Sequence, residues 1–323
     1  MDPTRYGTPA MSSRPSEIDI LLATWNGERF IEEQLESLFG QTFQDFRLIV
    51  MDDASSDSTL EIVRRYRSRY PDRIVLDINP YRRGPCRTFS LLMENSIAPY
   101  VALCDQDDIW REDKLELSLA TAKRIEAEHT VHTPVLVFSD LTVLGKDSQI
   151  LAPSMWRMMH LNPRRASLGS LLVQNLVSGC TVLANRSLLL LATPIPESAV
   201  MHDFWLGLVA AAFGILKPLY EATVRYRQHE SNAVGVRNGW RAVEALKHLS
   251  GEQRFRDGIE ASRRQSQVFV SRYASQLTPQ QNKTLEAWIH SQNLPAVVRQ
   301  WTLYRNGLRR TTLLNNLAFL ARV

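Results

Sequence analysis

Cysteine is scarce in this sequence: Cys86, Cys104 and Cys180 stand far apart in 323 residues, without a CxxC pair. Three isolated cysteines exclude a disulfide framework and a cysteine-based zinc site, and they fit a reducing cytoplasm. A spanning helix is missing too. The longest apolar run, Phe204 to Leu216, falls short of the roughly 20 residues that a membrane span needs. Residues 1–16 mix Pro, Ser, Arg and Asp and have none of the apolar stretch of a signal peptide, so they read as a loose tail. Neither GxGxxG nor GxxxxGK[ST] occurs. With no glycine-rich phosphate loop, any phosphate bound here needs a metal to bring it.

What is present suffices for a sizeable core. Hydrophobic residues make up 44% of the chain, which places it among globular proteins rather than disordered or fibrous ones. The net charge of +4 hides an asymmetry: Gly239–Val323 carries 13 Lys+Arg against 5 Asp+Glu, leaving −4 for the first 238 residues. A basic C-terminal portion behind an acidic one suits contact with anionic lipid or nucleic acid, or is simply a solvated helical face.

Short runs rich in Ile, Val and Leu recur at Ile18–Ala23, Leu48–Met51, Ile74–Ile78, Val101–Cys104 and Val135–Phe138. Between them lie stretches with helical periodicity, Arg29–Phe39, Thr59–Tyr70, Arg87–Ile97 and Arg111–Glu128. This alternation predicts an α/β fold, a mostly parallel sheet with helices on both faces. Ligands in such folds bind beyond the carboxyl ends of the strands. The residues there are Thr24-Trp25-Asn26-Gly27, Asp52-Asp53 and Asp105-Gln106-Asp107-Asp108. From about Gly239 the strand signal gives way to helix formers. We therefore expect a catalytic domain over 17–238, with halves 17–110 and 111–238, and a helical basic region over 239–323.

Asp105 and Asp107 are two carboxylates at spacing i, i+2, on one side of an extended chain. A carboxylate pair plus substrate phosphates is the usual ligand set for Mg²⁺. Asp clusters also start turns and cap helices, and Asp108 could cap the helix that carries Leu115 and Leu119. In the run from Asp52 to Thr59, Asp57 reads as a cap and Asp53 as an acceptor for the imide N–H of a nucleotide base. Asp203, in His202-Asp203-Phe204-Trp205, is either a general base or a helix cap. His229 is a metal or phosphate ligand or an ordinary surface histidine.

Together these motifs resemble glycosyltransferase family 2 with the GT-A fold, over about Ile18 to Gly235. The resemblance is carried by Ala23-Thr24-Trp25-Asn26, Ile49–Asp57, Cys104–Trp110 with Asp113-Lys114, Gly179-Cys180, His202–Leu206, Tyr226–His229 and Asn232. The last groups look like the rhamnosyltransferase-type subgroup. The resemblance implies that Ala23, Thr24 and Asn26 line the base and ribose pocket, that Asp53 accepts from the base, and that Arg87 lies near the base or diphosphate. It implies that Asp105 contacts ribose or metal, Asp107 the metal, and His229 the metal or diphosphate. Asp203 would be the base, with Gly179, His202 and Trp205 shaping the sugar and acceptor pocket. The implied cofactor is Mg²⁺ or Mn²⁺. The implied donor is a nucleotide diphosphate sugar, dTDP-rhamnose ahead of a UDP-sugar, and the acceptor a glycan or lipid-linked glycan. Thr88 and His202 depart from the family pattern, which usually has Asn and often Glu there.

A nucleotidylyltransferase would need a Gly- and Arg-rich loop where Thr24–Phe30 stands. A response-regulator receiver is much shorter. A nucleic-acid-binding module would set aromatic platforms among its basic residues, whereas here the basic portion lies outside the motif-rich region, so no nucleic acid partner is expected. The +8 region with Trp288, Trp301 and Tyr304 instead suggests peripheral docking on an anionic membrane surface from the cytoplasm.

Overall fold

A computed structural model describes residues 16–145, 147–229 and 249–323. The motif residues Asn232 and Gly235, the boundary near 238 and most of the tail lie outside these. Strands β1 (Ile18–Thr24), β2 (Phe46–Asp52), β3 (Ile74–Ile78) and β4 (Tyr100–Cys104) fall on the apolar runs. Helices α1 (Ile31–Phe39), α2 (Thr59–Arg69) and α3 (Pro85–Asn95) connect them. These strands pair in parallel in the order β3-β2-β1-β4, and their continuous burial reflects coverage of both faces. The chain steps outward from β1 to β3 and then returns to the other side of β1. Right-handed crossovers therefore put α1 and α2 on one face and α3 on the other.

Beyond β4 the sheet becomes mixed. It continues through β8 (Leu183–Asn185), β6 (Val135–Leu144), β9 (Ile215–Arg227) and β5 (Ile109–Trp110), with β7 (Ile150–Ala152) paired to β6. β6 and β9 run parallel, while β4–β8, β6–β8, β6–β7 and β5–β9 are antiparallel. The short β5 pairs Ile109 with Arg225 and Trp110 with Val224, which draws the acidic loop after β4 toward the end of β9.

Four further helices complete this half: α4 (Lys114–Glu128), the short α5 (Met155–Met158) and α6 (Leu168–Val173), and α7 (Arg186–Ala192). Next comes α8 (His202–Phe213), buried on every side over its first nine residues. The apolar run Phe204–Leu216 is thus this helix and the start of β9. α8 lies on the face of α3, where Phe89 stacks on His202 with ring centroids 4.0 Å apart. Against it pack the C-terminal helices α9 (Leu249–Tyr273), α10 (Pro279–His290), α11 (Ala296–Arg305) and α12 (Leu313–Leu320). Phe269 and Tyr273 of α9 close on Trp205 and Phe213 of α8. The helical region therefore shares one core with the sheet. Among the described residues no helix is long and apolar enough to cross a membrane.

Candidate active site

Strand order reverses between β1 and β4, and the polar residues read from the sequence converge beyond those strand ends, where a doubly wound sheet opens its crevice. The loop after β1 is fixed from three directions. Thr24 donates its hydroxyl to buried Asp52 at 2.8 Å. The Trp25 N–H donates to Gln106 Oε1 at 2.8 Å, and Gln106 Nε2 donates to the Trp25 carbonyl at 3.0 Å. Asn26, at φ 48°, donates its N–H to Ser55 Oγ and accepts the Ser56 N–H. Asn tolerates this left-handed conformation because its short polar side chain bonds locally. Asp57 accepts from the Thr59 N–H at 3.0 Å and the Glu28 N–H at 3.1 Å, which ties the two loops together, but the cap position expected of it is held by Ser58.

Asp53 faces the loop before α3. It accepts from Asn79 Nδ2 and from the backbone N–H of Arg83 and Gly84, each at 2.8 Å. A carboxylate has about four acceptor positions, and these three bonds leave one untaken. Asn79 also donates to Thr88 at 3.4 Å, which puts an amide beside the position where the family carries Asn.

The acidic loop holds the central charges. The Asp105 carboxylate receives no hydrogen bond from a described residue, and burial, with Asp107 and Asp203 nearby, pushes its pKa up to about 7. Asp107 Oδ2 lies 2.7 Å from Nε2 of His229, whose ring stacks on Phe30. Pairing of β5 with β9 makes this contact between residues 122 apart. A cavity of about 530 Å³ opens alongside, lined by Trp25, Asn26, Arg29, Phe30, Gln106 and His229 among others. Arg82 stacks its guanidinium 3.3 Å over the Trp25 ring. Asp108 is not the cap of α4: it accepts the Arg227 N–H at 3.3 Å, and Asp113 occupies the cap position. Beneath the loop, buried Lys114 sits 3.8 Å over the Trp110 ring, and burial lowers its pKa to about 8.

Asp105, Asp108 and Cys180 are the one group of three donor residues, among those described, with ligand atoms within 4.8 Å of one another. Burial drives the Cys180 pKa well up, so it stays a thiol, a poor ligand for a hard cation. Asp105, Asp107 and His229 do not reach that spacing together, but the carboxylates of Asp105, without a hydrogen bond, and Asp107, beside His229, are oxygen donors of the kind a hard divalent cation takes, and adjoining carboxylates without a cation repel.

Asp203 stands in the first turn of α8. It accepts from the Gly179 N–H at 3.0 Å, the Phe204 N–H at 2.6 Å and Asn175 Nδ2 at 3.4 Å. The Phe204 bond satisfies one orphan donor of the helix end, so Asp203 serves the helix while its charge reaches Asp105. Burial raises its pKa to about 6, against the pull of these hydrogen bonds. Gly179 packs closely on the ring behind it, since a Cβ there would lie 3.0 Å from His202 Nε2 and the ring would have to give way slightly. Both nitrogens of buried His202 lack a partner, and burial lowers its pKa to about 3, which keeps the ring neutral.

Two sequence-based placements do not hold, and a third residue lies off the cavity. Trp205 is fully buried behind the site, its indole N–H donated to the Ala192 carbonyl at 3.0 Å, so it shapes no sugar pocket. Trp205→Ala is expected to lower stability by about 3–5 kcal/mol through the cavity it leaves. Chemical denaturation measures this, and unchanged stability with weakened donor binding would return Trp205 to the pocket. Trp288 is also fully buried and is no surface anchor. Arg87, half-exposed and 3.5 Å from Glu94, is not among the cavity-lining residues, whereas Arg29 and Arg227 are. Gln106 and Asn175 were given no role from the sequence. Gln106 stands between the two aspartates of the acidic loop, and that position was its one signal. Asn175 carried none.

A crossover sheet with acidic strand ends, no phosphate loop and a carboxylate delivered from the far half is a GT-A fold. The profile described as Glycosyl transferase family 2 matches residues 19–189, and the chain belongs to that family. It is 31% identical over 135 residues to the putative glycosyltransferase EpsE of Bacillus subtilis, covering 42% of this chain and 48% of that protein. It is 25% identical over 233 residues to the dTDP-rhamnosyl transferase RfbG of Shigella flexneri, covering 68% of this chain and 76% of that protein. The chain thus spans about half the length of the first of these relatives. In fold it is similar to residues 1–349 of Staphylococcus aureus TarS, solved with UDP-GlcNAc. The TM-score is 0.52 at 16% identity, over 90% of this chain and 88% of that one. It is also similar to the mannosyltransferase PcManGT of Pyrobaculum calidifontis, solved with GDP-Man and Mn²⁺. The TM-score is 0.50 at 17% identity, over 93% of this chain and 76% of that one.

Proposed function

We propose that the chain is a metal-dependent, inverting hexosyltransferase of cell-surface polysaccharide synthesis, acting at the cytoplasmic side of the membrane. Its donor is a nucleotide diphosphate hexose, dTDP-L-rhamnose first, and its acceptor a hydroxyl of a glycan or lipid-linked glycan. The observation that carries this reading is the placement of Asp203, held by the Gly179 N–H with its charge felt at Asp105. Support for rhamnose comes from the name of the Shigella relative.

In this reading Asp203 takes the proton of the acceptor hydroxyl while its oxygen forms the bond to the anomeric carbon, and the bond from that carbon to the diphosphate oxygen breaks. A pKa of about 6 leaves Asp203 ionised at neutral pH yet close enough to accept a proton. Asp105, Asp107 and His229 hold Mg²⁺ or Mn²⁺, which when bound supplies positive charge for the leaving diphosphate. Ala23, Thr24, Asn26 and the open acceptor position of Asp53 receive the nucleoside. Gly179 and neutral His202 border the sugar and acceptor.

The test is a screen of dTDP-, UDP- and GDP-sugars for slow metal-dependent hydrolysis, read as nucleoside diphosphate release. Release from dTDP-rhamnose above the others supports the full reading. Preference for another donor rejects rhamnose, and no release from any donor with metal present rejects the assignment.

A further inference from the structure

Exposed large hydrophobic side chains on this molecule are mostly scattered, but seven of the 17 among the described residues fall on α11 and α12. α11 buries Leu303 and leaves Val297, Val298, Trp301 and Tyr304 outside, with Val297 at 79% and Trp301 at 58% exposure. These positions follow i, i+1, i+4, i+7 and make one helical face. α12 buries Phe319 and leaves Leu313, Leu314 and Leu317 outside at i, i+1, i+4. The helices are tied together where Gln300 Nε2 donates to the Leu320 carbonyl at 3.0 Å. Single exposed apolar residues need no explanation, but a concentration of them marks an interaction surface.

The charge identifies the occupant. From Ala287 to Val323 the chain has five arginines and no acidic residue. Arg305 lies 4.9 Å over the Trp301 ring and Arg309 4.4 Å over that of Tyr304. Aromatic rings edged by arginine are suited to the boundary of a bilayer, where apolar groups enter the acyl region and guanidinium groups stay at the phosphates. A second copy of this chain is disfavoured, because a symmetric interface would set arginines against arginines.

We propose that the exposed faces of α11 and α12 dock the protein in the plane of an anionic lipid bilayer. The surface uses no residue of the catalytic site, so the proposal stands apart from the donor and the reaction.

The experiment is co-sedimentation of the full chain with vesicles of phosphatidylcholine containing about one third phosphatidylglycerol, against phosphatidylcholine alone. Binding is expected to the anionic vesicles, weakened by added salt, with a blue shift of tryptophan emission that Trp301→Phe reduces. The double variants Trp301→Ser/Leu317→Ser and Arg305→Glu/Arg309→Glu are each expected to bind at least about tenfold more weakly, with unchanged melting curves. Because the replaced side chains are exposed, folding should survive. Equal binding to neutral vesicles, or undiminished binding by both variants, overturns the proposal. So does a wild-type dimer in sedimentation velocity that the same substitutions dissociate, without vesicle binding.

Discussion

Asp203→Asn is expected to fold, to bind the donor nearly as the unaltered protein does, and to lose roughly 10²–10⁴-fold in kcat. That range is the usual contribution of general base catalysis and corresponds to about 3–5 kcal/mol of barrier. The side chain also satisfies a helix-end donor, so the substitution separates two roles. Asparagine caps about as well as aspartate, and its amide oxygen still accepts from Gly179 or Phe204. Folding is helped further by loss of the buried charge. A carboxyl whose folded pKa lies near 6, above the ordinary aspartate value of about 3.9, gives up stability as pH rises through that interval, and the amide does not. For the unaltered enzyme the sign in activity is the reverse: kcat/KM should be full above pH 6 and fall as acid protonates Asp203. A flat profile in the mutant, at residual rate, completes the pattern. Normal turnover in the folded mutant would remove Asp203 from the role of base.

Asp107→Asn is expected to weaken metal-dependent nucleotide diphosphate binding by about 100-fold or more. Changing groups that merely orient a metal ligand already costs 10–100-fold, and a neutral amide cannot replace the charge of a ligand. The amide can still meet His229 Nε2, now 2.7 Å from the carboxylate, so the loop should hold its place. Calorimetry with and without Mn²⁺ measures the difference. Metal-dependent affinity that survives the substitution would shift the site toward Asp105 alone.

The parallel half of the fold was readable because its strands are short apolar runs bounded by polar turns, and β1 to β4 lie where those runs predict. The second half was readable only at its start, where α4 and β6 fall on Arg111–Glu128 and Val135–Phe138. β9 interrupts its apolar residues with Lys217, Pro218, Glu221 and Arg225 and is half-covered along much of its length, so it shows neither a continuous apolar run nor a regular alternation. β5 has only two residues. Yet it is β5 and β9 that bring His229 to Asp107. Asp105, Asp107 and Asp203 were legible as carboxylates at element ends. Trp205 misled because a tryptophan beside a reactive aspartate reads as a pocket wall, whereas here it is the plug between α8 and α9. The single acceptor position left on Asp53 was invisible, since its partners Arg83 and Gly84 act through backbone N–H groups that no side-chain pattern reports.

The aromatic cluster of Trp205, Phe213, Phe269 and Tyr273 bears on how such enzymes are recombined. α8 presents Asp203 from one end and lodges Trp205 against α9 two residues later, so the packing of the C-terminal helices reaches to within two residues of that carboxylate. Swapping those helices between relatives, to alter the surface they present, would keep Asp203 in position only if the graft begins before α8 or restores all four rings.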